Sequence, residues 1–551
     1  MQSRNGMIMP KHRLRPELCA LLVAVFVLGC LNAHFWRLLY QTVAPNAPFD
    51  WLFLVSVLVV LLALLNLLFG ALAVPYVFKP MMTIVLLVSA AAAYFMDEYG
   101  TVIDAGLVRS IVATNAAEIR DLLTFKLMLY LFLVGMLPVY LLWRTRLAYR
   151  SIEDELVTKA SAAILWAAIA VMAVLPFTND FMSVFREQRQ LLYFLSPINS
   201  LHAVYKYMGK MGSSAPHKLV SLGEDARKGD AWLGRKGRSL TVIVVGETAR
   251  AANFSLNGYP RLTNPRLSAI PGLIYFSQAY SCGTDTASSL PCMFSNLGRS
   301  KFNVNRVAHQ ENLLDVVQRA GFAVRWRENQ SGCKGVCARV PTELLVESKQ
   351  DRFYEIADAL DEALLRDLPE RISALDRDGL FVLHMMGSHG PAYYKRYPSR
   401  FEQFKPACKE AQFSRCSNDQ IVNAYDNTIL YTDYVLAELI ALLEEEDRQG
   451  IATALIYLSD HGESLGERNL YLHGMPYALA PDVQKHIPML FWLSPRYRQA
   501  FALDTVCVAH RREQRVSQDN LFHSVLGLLD IETHIYDAKL DVFAGCRRSS
   551  E

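Results

Sequence analysis

Thr453–Glu463, with the sequence TALIYLSDHGE, decides the fold, because it joins a strongly apolar run to a cluster of ionisable residues. A continuous apolar run of this length is typical of a strand that is buried on both faces of a parallel sheet. Such sheets bind ligands at the carboxyl ends of their strands. Asp460 and His461, at the end of the run, are therefore predicted to lie in a functional site.

Similar apolar runs recur on both sides of this one, and helical patterns such as Asn312–Ala320 and Asn423–Glu446 separate them. Strands that alternate with helices indicate one α/β domain with a mainly parallel sheet. We place this domain at residues 239–551. Its further strands are predicted at Leu240–Gly246, Phe322–Trp326, Leu380–Met385 and Pro488–Trp492.

Other strand ends also carry residue types that bind metals. Glu247 directly follows one predicted strand, His389 comes shortly after another, and His473 lies further along the chain. Carboxylates and imidazoles that converge on one edge suit a divalent metal, and zinc favours such oxygen and nitrogen ligands. A lone glutamate after a strand is more often a helix cap, and a lone His-Gly is more often a turn. Asp-His-Gly-Glu directly after a buried strand is the more specific signal.

A candidate nucleophile loop lies at Ser281–Met293, with the sequence SCGTDTASSLPCM. A disulfide between its two cysteines would hold a hydroxyl still and would place the loop outside the cytoplasm. Coordination to zinc would lower the pKa of a threonine oxygen, so that no Ser-His-Asp triad is needed. A helix that begins near Ala287 would also offer its N–H groups to a phosphoryl oxygen. The residues alone leave Thr284 and Thr286 both eligible, with Ser288 a weaker candidate.

The ten cysteines fall into two groups along the chain. Cys19 and Cys30 lie in an apolar run and are interpreted as packing residues. The other eight follow residue 280, and an oxidising compartment favours disulfides for the close pairs; zinc ligation is the rival interpretation for Cys333 and Cys337. A bond between Cys507 and Cys546 stays open. The predicted disulfides are Cys282/Cys292, Cys333/Cys337 and Cys408/Cys416.

Long apolar runs fill the first third of the chain. With 52% hydrophobic and 20% charged residues, the composition excludes a single soluble fold. Each run approaches or reaches the roughly 20 residues that a membrane-spanning helix needs. Five spans are predicted, near Glu17–Leu39, Trp51–Val74, Met81–Met96, Phe125–Trp143 and Ala160–Pro176.

Basic residues predict the orientation of these spans. Lys11, Arg13 and Arg15 precede the first span, whereas the loop Gln41–Asp50 has no lysine or arginine. Positive charge favours the cytoplasm, so the N-terminus is predicted inside and everything after about Pro176 outside. We expect a five-helix transmembrane domain at 1–180, an interfacial helix (Phe181–Met211) and linker at 181–238, and a catalytic domain at 239–551. A net charge of +3 does not indicate a nucleic-acid partner.

Four motifs carry a resemblance to a known family. VGETAR at 245–250, SCGTDT at 281–286, GSHGPA at 387–392 and LSDHGESLG at 458–466 resemble the lipid A phosphoethanolamine transferases. These are bacterial inner-membrane enzymes with an alkaline phosphatase/sulfatase-like periplasmic domain, and they include the mobile colistin-resistance proteins. The segments 521–529 and 544–546 are more similar to the chromosomal type.

The resemblance implies roles for individual residues. Thr286 would be the nucleophile, and His389 and His473 would serve a second metal or protonate the leaving group. Lys334 is implied at the substrate phosphate. Thr114 and Glu118, in the outward loop Tyr99–Leu123, are implied in lipid binding, while Ser110 stands where family members often have asparagine. The implied zinc ligands are Glu247, Thr286, Asp460 and His461.

The resemblance also implies a reaction. Phosphoethanolamine would pass from phosphatidylethanolamine to the threonine and then to a phosphate of lipid A, which weakens the attraction of the cell surface for polymyxins. Another lipopolysaccharide or glucan acceptor is an alternative. A membrane-tethered phosphatase, sulfatase or phospholipase C would use the same residues with water as acceptor, and a membrane-bound sensor that has lost activity is the non-enzymatic alternative.

Overall fold

The computed structural model describes residues 13–43, 51–112, 122–187, 189–211, 219–235, 237–330, 332–345 and 360–547. The chain divides into two compact units. The first contains Met1–Val108 and Leu123–Gly209, and the second contains Arg109–Leu122 and Lys210–Glu551.

Apolar helices make up the first unit. Among the described residues, four helices are long and apolar enough to cross a membrane, or five if one bent pair counts as a single span. Between residues 13 and 211, including short parts that belong to the second unit, the helices are Pro16–Cys30, Ala33–Val43, Trp51–Leu72, Phe78–Tyr99, Ala105–Val112, Phe125–Tyr130, Leu137–Arg144, Ile152–Val174, Thr178–Glu187 and Ile198–Met211, with a π-helical turn at Leu131–Met136. Short strands at Arg13–Leu14 and Arg146–Leu147 pair in parallel.

The first predicted span is not one straight helix. Its residues form Pro16–Cys30 and Ala33–Val43, which bend by 61°. Asn32 lies at the break, where its side-chain amide donates to Val27 O at 2.9 Å and accepts from Ser196 N at 2.8 Å. This polar side chain bonds to backbone groups instead of continuing the apolar surface, so the chain turns there.

The predicted interfacial helix Phe181–Met211 is also interrupted. The structure has an α-helix at Thr178–Glu187, a 3₁₀ segment at Arg189–Phe194 and an α-helix at Ile198–Met211. Pro197 immediately precedes the last helix, and a proline lacks the N–H that a helix interior requires. The prediction of a single helix was therefore wrong at this point.

An eight-stranded sheet forms the centre of the second unit. In chain order its strands are β1 Ser239–Gly246, β2 Ile274–Tyr280, β3 Ala323–Glu328, β4 Thr342–Leu344, β5 Gly379–His384, β6 Ala452–Ser459, β7 His486–Leu493 and β8 Val516–Ser517. Their spatial order is β8-β2-β7-β6-β1-β5-β3-β4.

The prediction of a mainly parallel sheet is confirmed. Five of its pairings are parallel, and only β7 runs antiparallel to its two neighbours. Every residue of the central strands β1 and β6 is buried. The continuous apolar runs that identified these strands therefore reflect burial on both faces of the sheet.

Helices and short strands surround this sheet. The longest helix, Asn418–Arg448, begins with a capping box in which Ser417 and Gln420 bond reciprocally. The shorter strand pairs are Ser464–Leu465 with Tyr471–Leu472 and Arg227–Lys228 with Ile531–Glu532. The remaining α-helices are Thr286–Met293, Gly298–Lys301, Val304–Ala308, Leu313–Arg319, Leu368–Ser373, Pro495–Ala500, Thr505–Ala509 and Asp519–Leu528.

Candidate active site

Strand register brings the first two candidate ligands together. Gly246, the last residue of β1, pairs with Ser459, the last residue of β6. Glu247 and Asp460 therefore leave the same edge of the sheet on adjacent strands, and Asp460 N donates to Gly246 O at 2.9 Å. Two apolar strands in parallel register thus place two carboxylates side by side.

Glu247, Asp460 and His461 form a compact buried cluster, and each of them is 0% exposed. Their potential ligand atoms lie within 4.8 Å of one another. His461 Nε2 is 3.2 Å from Asp460 Oδ2 and 3.5 Å from Glu247 Oε1. The structure therefore brings together three of the four zinc ligands that the sequence resemblance implied.

The ring of His461 is oriented by its own chain. Its Nδ1 lies 2.9 Å from Gly462 O, and a carbonyl can only accept, so Nδ1 carries the proton of this bond. Nε2 then faces the carboxylates, as it does in many histidines that bind metals. Burial alone would lower the pKa of His461, but the nearby Asp460 and Glu247 carboxylates together raise it.

One oxygen of this cluster tests whether a metal fits. Asp460 Oδ1 accepts from Thr248 N at 3.0 Å and His461 N at 2.7 Å, whereas Oδ2 has no hydrogen-bond partner among the described residues. A buried carboxylate oxygen without a partner is costly. Two carboxylates and one imidazole are a donor set that suits zinc, so the residues present fit this metal.

Thr286 adds its hydroxyl to the cluster. Its Oγ1 lies 3.2 Å from each carboxylate oxygen of Glu247 and 3.4 Å from His461 Nε2. Thr286 is the first residue of the helix Thr286–Met293, which begins one residue before the predicted start. Asp285 caps this helix by accepting from Ser288 N at 2.9 Å.

The other two candidate hydroxyls have different partners. Thr284, only 4% exposed, donates from Oγ1 to Met475 O at 2.6 Å. Ser288 Oγ accepts from Arg109 Nη2 at 2.8 Å, and Arg109 belongs to the same unit. Residue chemistry alone left the choice of hydroxyl open, and of these three candidates Thr286 is the one with its hydroxyl within 3.4 Å of the candidate ligands.

Gln518 joins the nucleophile loop to the end of β6. Its Oε1 accepts from Cys282 N at 2.7 Å, and its Nε2 donates to Ser459 O at 2.8 Å and to Asp460 O at 2.6 Å. Sequence reasoning missed this residue because it lies far along the chain and no motif surrounds it. Gln518 thus links the loop that contains Thr286 directly to the backbone of Asp460.

Glu247 also has neighbours that the sequence did not reveal. Gln330 Nε2 donates to Glu247 Oε2 at 2.9 Å, and Thr248 Oγ1 donates to Oε1 at 2.6 Å. Gln330 follows β3 by two residues, so its position beyond the carboxyl end of a strand was the available signal. These bonds fix the carboxylate that faces Thr286.

His389 and His473 lie beside the cluster. The ring of His473 is 4.2 Å from that of His461 and 5.8 Å from that of His389, measured between centroids. His473 Nδ1 is 3.0 Å from Glu463 Oε2. Burial lowers the pKa of both His389 and His473 to about 3, so both imidazoles are neutral at pH 7. Burial also raises the pKa of Glu463 well above its usual value.

The remaining predicted site residues have varied outcomes. Lys334 is half-buried and has a φ of 49° in the loop closed by Cys333 and Cys337. Ser110 lies in the helix Ala105–Val112, but its side chain is outside the described residues, as are Thr114 and Glu118 entirely. The described residues contain four disulfides: Cys282–Cys292, Cys333–Cys337, Cys408–Cys416 and Cys507–Cys546.

Comparisons with known proteins agree with both parts of the chain. The family model described as Sulfatase matches residues 239–531, and that described as Phosphoethanolamine transferase EptA/EptB matches residues 61–211. Phosphoethanolamine transferase EptA of Escherichia coli strain K12 is 40% identical over 534 residues, which cover 96% of this chain and 97% of that protein. The chain belongs to the phosphoethanolamine transferase family.

Two further relatives support this assignment. Phosphatidylethanolamine transferase Mcr-1 of Escherichia coli is 36% identical to this transferase over 486 residues, which cover 85% of this chain and 88% of that protein. The integral membrane protein lipooligosaccharide phosphoethanolamine transferase A of Neisseria meningitidis superposes with a TM-score of 0.92 at 35% identity, covering 98% of this chain and 100% of that one.

Family membership confirms the predicted resemblance, fold class and location. The transferase is an integral protein of the bacterial inner membrane, with apolar helices in its N-terminal part and a sulfatase-like periplasmic domain after them. The sheet edge that carries Glu247, Asp460 and His461 belongs to this sulfatase-like domain.

Proposed function

We propose that this transferase moves phosphoethanolamine from phosphatidylethanolamine to a phosphate of lipid A, with a phosphothreonine intermediate at Thr286. One observation carries the proposal: the Thr286 hydroxyl lies 3.2 Å from both oxygens of Glu247, at the edge of a buried cluster that fits a metal. A positioned hydroxyl beside such a cluster is the arrangement that nucleophilic catalysis requires.

Zinc is the metal that we propose for this cluster. Glu247, Asp460 and His461, together with the Thr286 oxygen, would hold it. When bound, zinc would supply a positive charge that lowers the pKa of the threonine hydroxyl and offsets the charge of a phosphoryl group.

The first step splits the donor lipid. Thr286 Oγ1 attacks the phosphorus, a bond forms between them, and the bond from phosphorus to the diacylglycerol oxygen breaks. Glu247, which accepts a hydrogen bond from the hydroxyl, holds the nucleophile in line. The hydroxyl proton ends on the diacylglycerol oxygen, so the step is balanced and leaves phosphoethanolamine on the threonine.

The second step regenerates the enzyme. An oxygen of a lipid A phosphate attacks the phosphothreonine, the bond from phosphorus to Thr286 Oγ1 breaks, and the threonine recovers a proton from the acceptor phosphate. The product carries an added ammonium group. This charge offsets part of the anionic charge of the cell surface, so polymyxins are attracted less strongly.

We propose that His389 and His473 hold a second metal, with protonation of the leaving group as the alternative role. Both imidazoles are neutral because burial lowers their pKa to about 3. A neutral imidazole with an available lone pair suits coordination better than it suits proton donation. Lys334, in its tight disulfide loop, is proposed at the substrate phosphate, and Ser110, Thr114 and Glu118 at the lipid.

The experiment that tests this function uses mass spectrometry of lipid A. Cells of a polymyxin-susceptible strain would express the wild type, Thr286→Ala or Thr284→Ala. We expect the phosphoethanolamine mass on lipid A, and reduced polymyxin sensitivity, for the wild type and Thr284→Ala but not for Thr286→Ala. Unchanged lipid A and unchanged sensitivity with the wild type would refute lipid A as acceptor.

Labelled phosphatidylethanolamine separates transfer from hydrolysis. The purified transferase should move the label to lipid A and leave a labelled protein when lipid A is omitted. The label should lie on Thr286 in a peptide map. Release of free phosphoethanolamine at the same rate with and without lipid A would instead assign a phospholipase C-like hydrolase.

A further inference from the structure

The loop Met385–Gly390, which carries His389, is held on both sides by groups outside itself. We infer that Asp361 is a positioning residue for phosphoethanolamine transfer, because its carboxylate clamps this loop against the backbone of Glu247. The inference rests on the proposed function, since it concerns the placement of His389 relative to Thr286 and the candidate metal ligands.

Asp361 uses both of its carboxylate oxygens on successive backbone groups. Oδ1 accepts from Met386 N at 2.8 Å, and Oδ2 accepts from Gly387 N at 2.9 Å. The residue is 2% exposed, so water does not compete for these bonds. A side-chain amide has only one accepting oxygen and cannot satisfy both N–H groups.

The opposite side of the loop contacts the strand that carries Glu247. Met385 N donates to Val245 O at 3.0 Å, and Ser388 N donates to Glu247 O at 2.9 Å. Gly387 has a φ of 51°, and a Cβ at this position would lie only 2.6 Å from Glu247 O. The loop backbone therefore has no space to move toward Glu247, and Asp361 prevents it from moving away.

His389 depends on this backbone for its position. Its Nδ1 has no hydrogen-bond partner among the described residues, so that side-chain nitrogen does not anchor the ring. Its backbone N donates to Met386 O at 3.3 Å, and Arg396 Nε donates to His389 O at 2.9 Å. A displacement of residues 386–387 would accordingly move the imidazole away from His473 and from the candidate metal ligands.

Asp433 offers a matched control in the same domain. It is 1% exposed, and its two oxygens accept from Leu267 N at 2.9 Å and from Arg266 N at 3.0 Å. Burial raises the pKa of Asp361 and of Asp433 alike to about 6. The two carboxylates thus clamp successive N–H groups in the same way, but Asp433 clamps a segment that carries none of the proposed catalytic residues.

The first experiment compares Asp361→Asn with Asp433→Asn in the purified full-length transferase. Melting temperature, zinc content, kcat and KM for phosphatidylethanolamine would be measured. We expect similar melting-temperature losses and wild-type zinc content in both variants. Only Asp361→Asn should lower kcat, by about tenfold to a hundredfold with a nearly unchanged KM, since a misplaced catalytic group costs rate rather than affinity.

A double-mutant cycle with His389→Ala identifies the route of the effect. If Asp361 acts through His389, Asp361→Asn should lower kcat by less than about threefold in the His389→Ala background. Equal kcat losses in the wild-type and His389→Ala backgrounds would overturn the inference, as would a wild-type kcat for Asp361→Asn or an equal loss for Asp433→Asn.

A substitute variant and a second assay cover two cases: Asp361→Asn does not fold, or lipid A is not the acceptor. Asp361→Ser, which buries no charge and still offers one accepting oxygen, replaces Asp361→Asn if that variant does not fold, with the same expected loss of kcat. If the wild type releases phosphoethanolamine to water instead of lipid A, the proposed acceptor is wrong. The same variants are then compared on that hydrolysis, so the role of Asp361 is still decided.

Discussion

Buried polar and ionisable groups at the two edges of the central sheet differ in whether they have hydrogen-bond partners. At the amino edge, Asp378 accepts from Ser239 N at 2.8 Å and from Ser239 Oγ at 3.0 Å, and its other oxygen pairs with Lys228. At the carboxyl edge, Asp460 Oδ2 and His389 Nδ1 are buried without a hydrogen-bond partner among the described residues. The carboxylate of Asp378 is satisfied by the protein itself, whereas the carboxyl edge retains atoms that can bind a ligand.

This difference separates a contact that serves stability from a site that serves function, at opposite ends of the parallel strands. Buried polar groups are nearly always paired in folded proteins, so unpaired ones indicate a cost that the fold tolerates for another purpose. The amino edge therefore informs us about folding, and the carboxyl edge about chemistry. Substitutions of aspartates at the two edges test this distinction.

The largest expected effect is the loss of activity in Asp460→Asn. The substitution removes a candidate ligand and a negative charge but keeps the shape of the side chain. We expect transfer of labelled phosphoethanolamine to fall by about 10³-fold or more, since the metal site would lose an anionic ligand. Activity within about tenfold of the wild type would contradict the assignment of Asp460 to the metal site.

Removal of the metal should have the next largest effect. A metal that binds only the folded state stabilises it by about 2.7 kcal/mol when its free concentration is a hundred times the dissociation constant. We therefore expect dialysis against a chelator to lower the melting temperature of the wild type and zinc to restore it. Asp460→Asn should show a much smaller response, and an equal response in both proteins would mean that zinc binds elsewhere.

Asp378→Asn, at the amino edge, should lower stability without lowering activity. It leaves one of the Asp378 partners unsatisfied and removes the charge opposite Lys228, so the free energy of unfolding should fall by about 1–3 kcal/mol. Denaturation of the purified protein measures this loss. The kcat of the folded fraction should equal that of the wild type, and a lowered kcat would show that the two edges are coupled.

The smallest predicted effect is a dependence on pH at Asp433, which lies on the helix Asn418–Arg448. Burial raises its pKa from 3.8 to about 6, so between these values the folded state holds a proton that the unfolded state releases. The contribution of this group to stability is therefore present below about pH 4 and is lost as the pH rises through 6.

Asp433→Asn removes this titration. The free energy of unfolding of the variant, relative to the wild type, should thus increase between pH 4 and pH 7 by something on the order of 1 kcal/mol. Thermal denaturation at several pH values measures this difference. A difference that stays constant or decreases with pH would show that Asp433 does not titrate in this range.

Much of the fold follows from local sequence pattern. Strands β1 and β6 were predictable because their side chains are buried on both faces, which leaves a continuous apolar run. The ionisable residues at their ends were predictable because parallel strands present their carboxyl ends at one edge. The antiparallel direction of β7 was not, since its apolar run is the same in either direction.

Most of the features that the sequence did not predict depend on hydrogen bonds between residues far apart in the chain. Gln330, Gln518 and Asp361 each reach the site from a separate segment, and no motif accompanies them. The bend at Asn32 depends in the same way on backbone groups at Ser196, far along the chain. The residue types alone do not separate Thr286 from Thr284, because both hydroxyls have the same chemistry; the family resemblance selected Thr286, and the two hydroxyls have different partners in the structure.

The disulfides have a consequence for biogenesis. Each of the four joins a cysteine to the next one along the chain, with separations of 10, 4, 8 and 39 residues. An oxidase that pairs thiols in the order in which they emerge from the membrane therefore makes the native set directly. We therefore expect production of this transferase to depend on a thiol oxidase in the periplasm and not on an isomerase that reshuffles mispaired bonds.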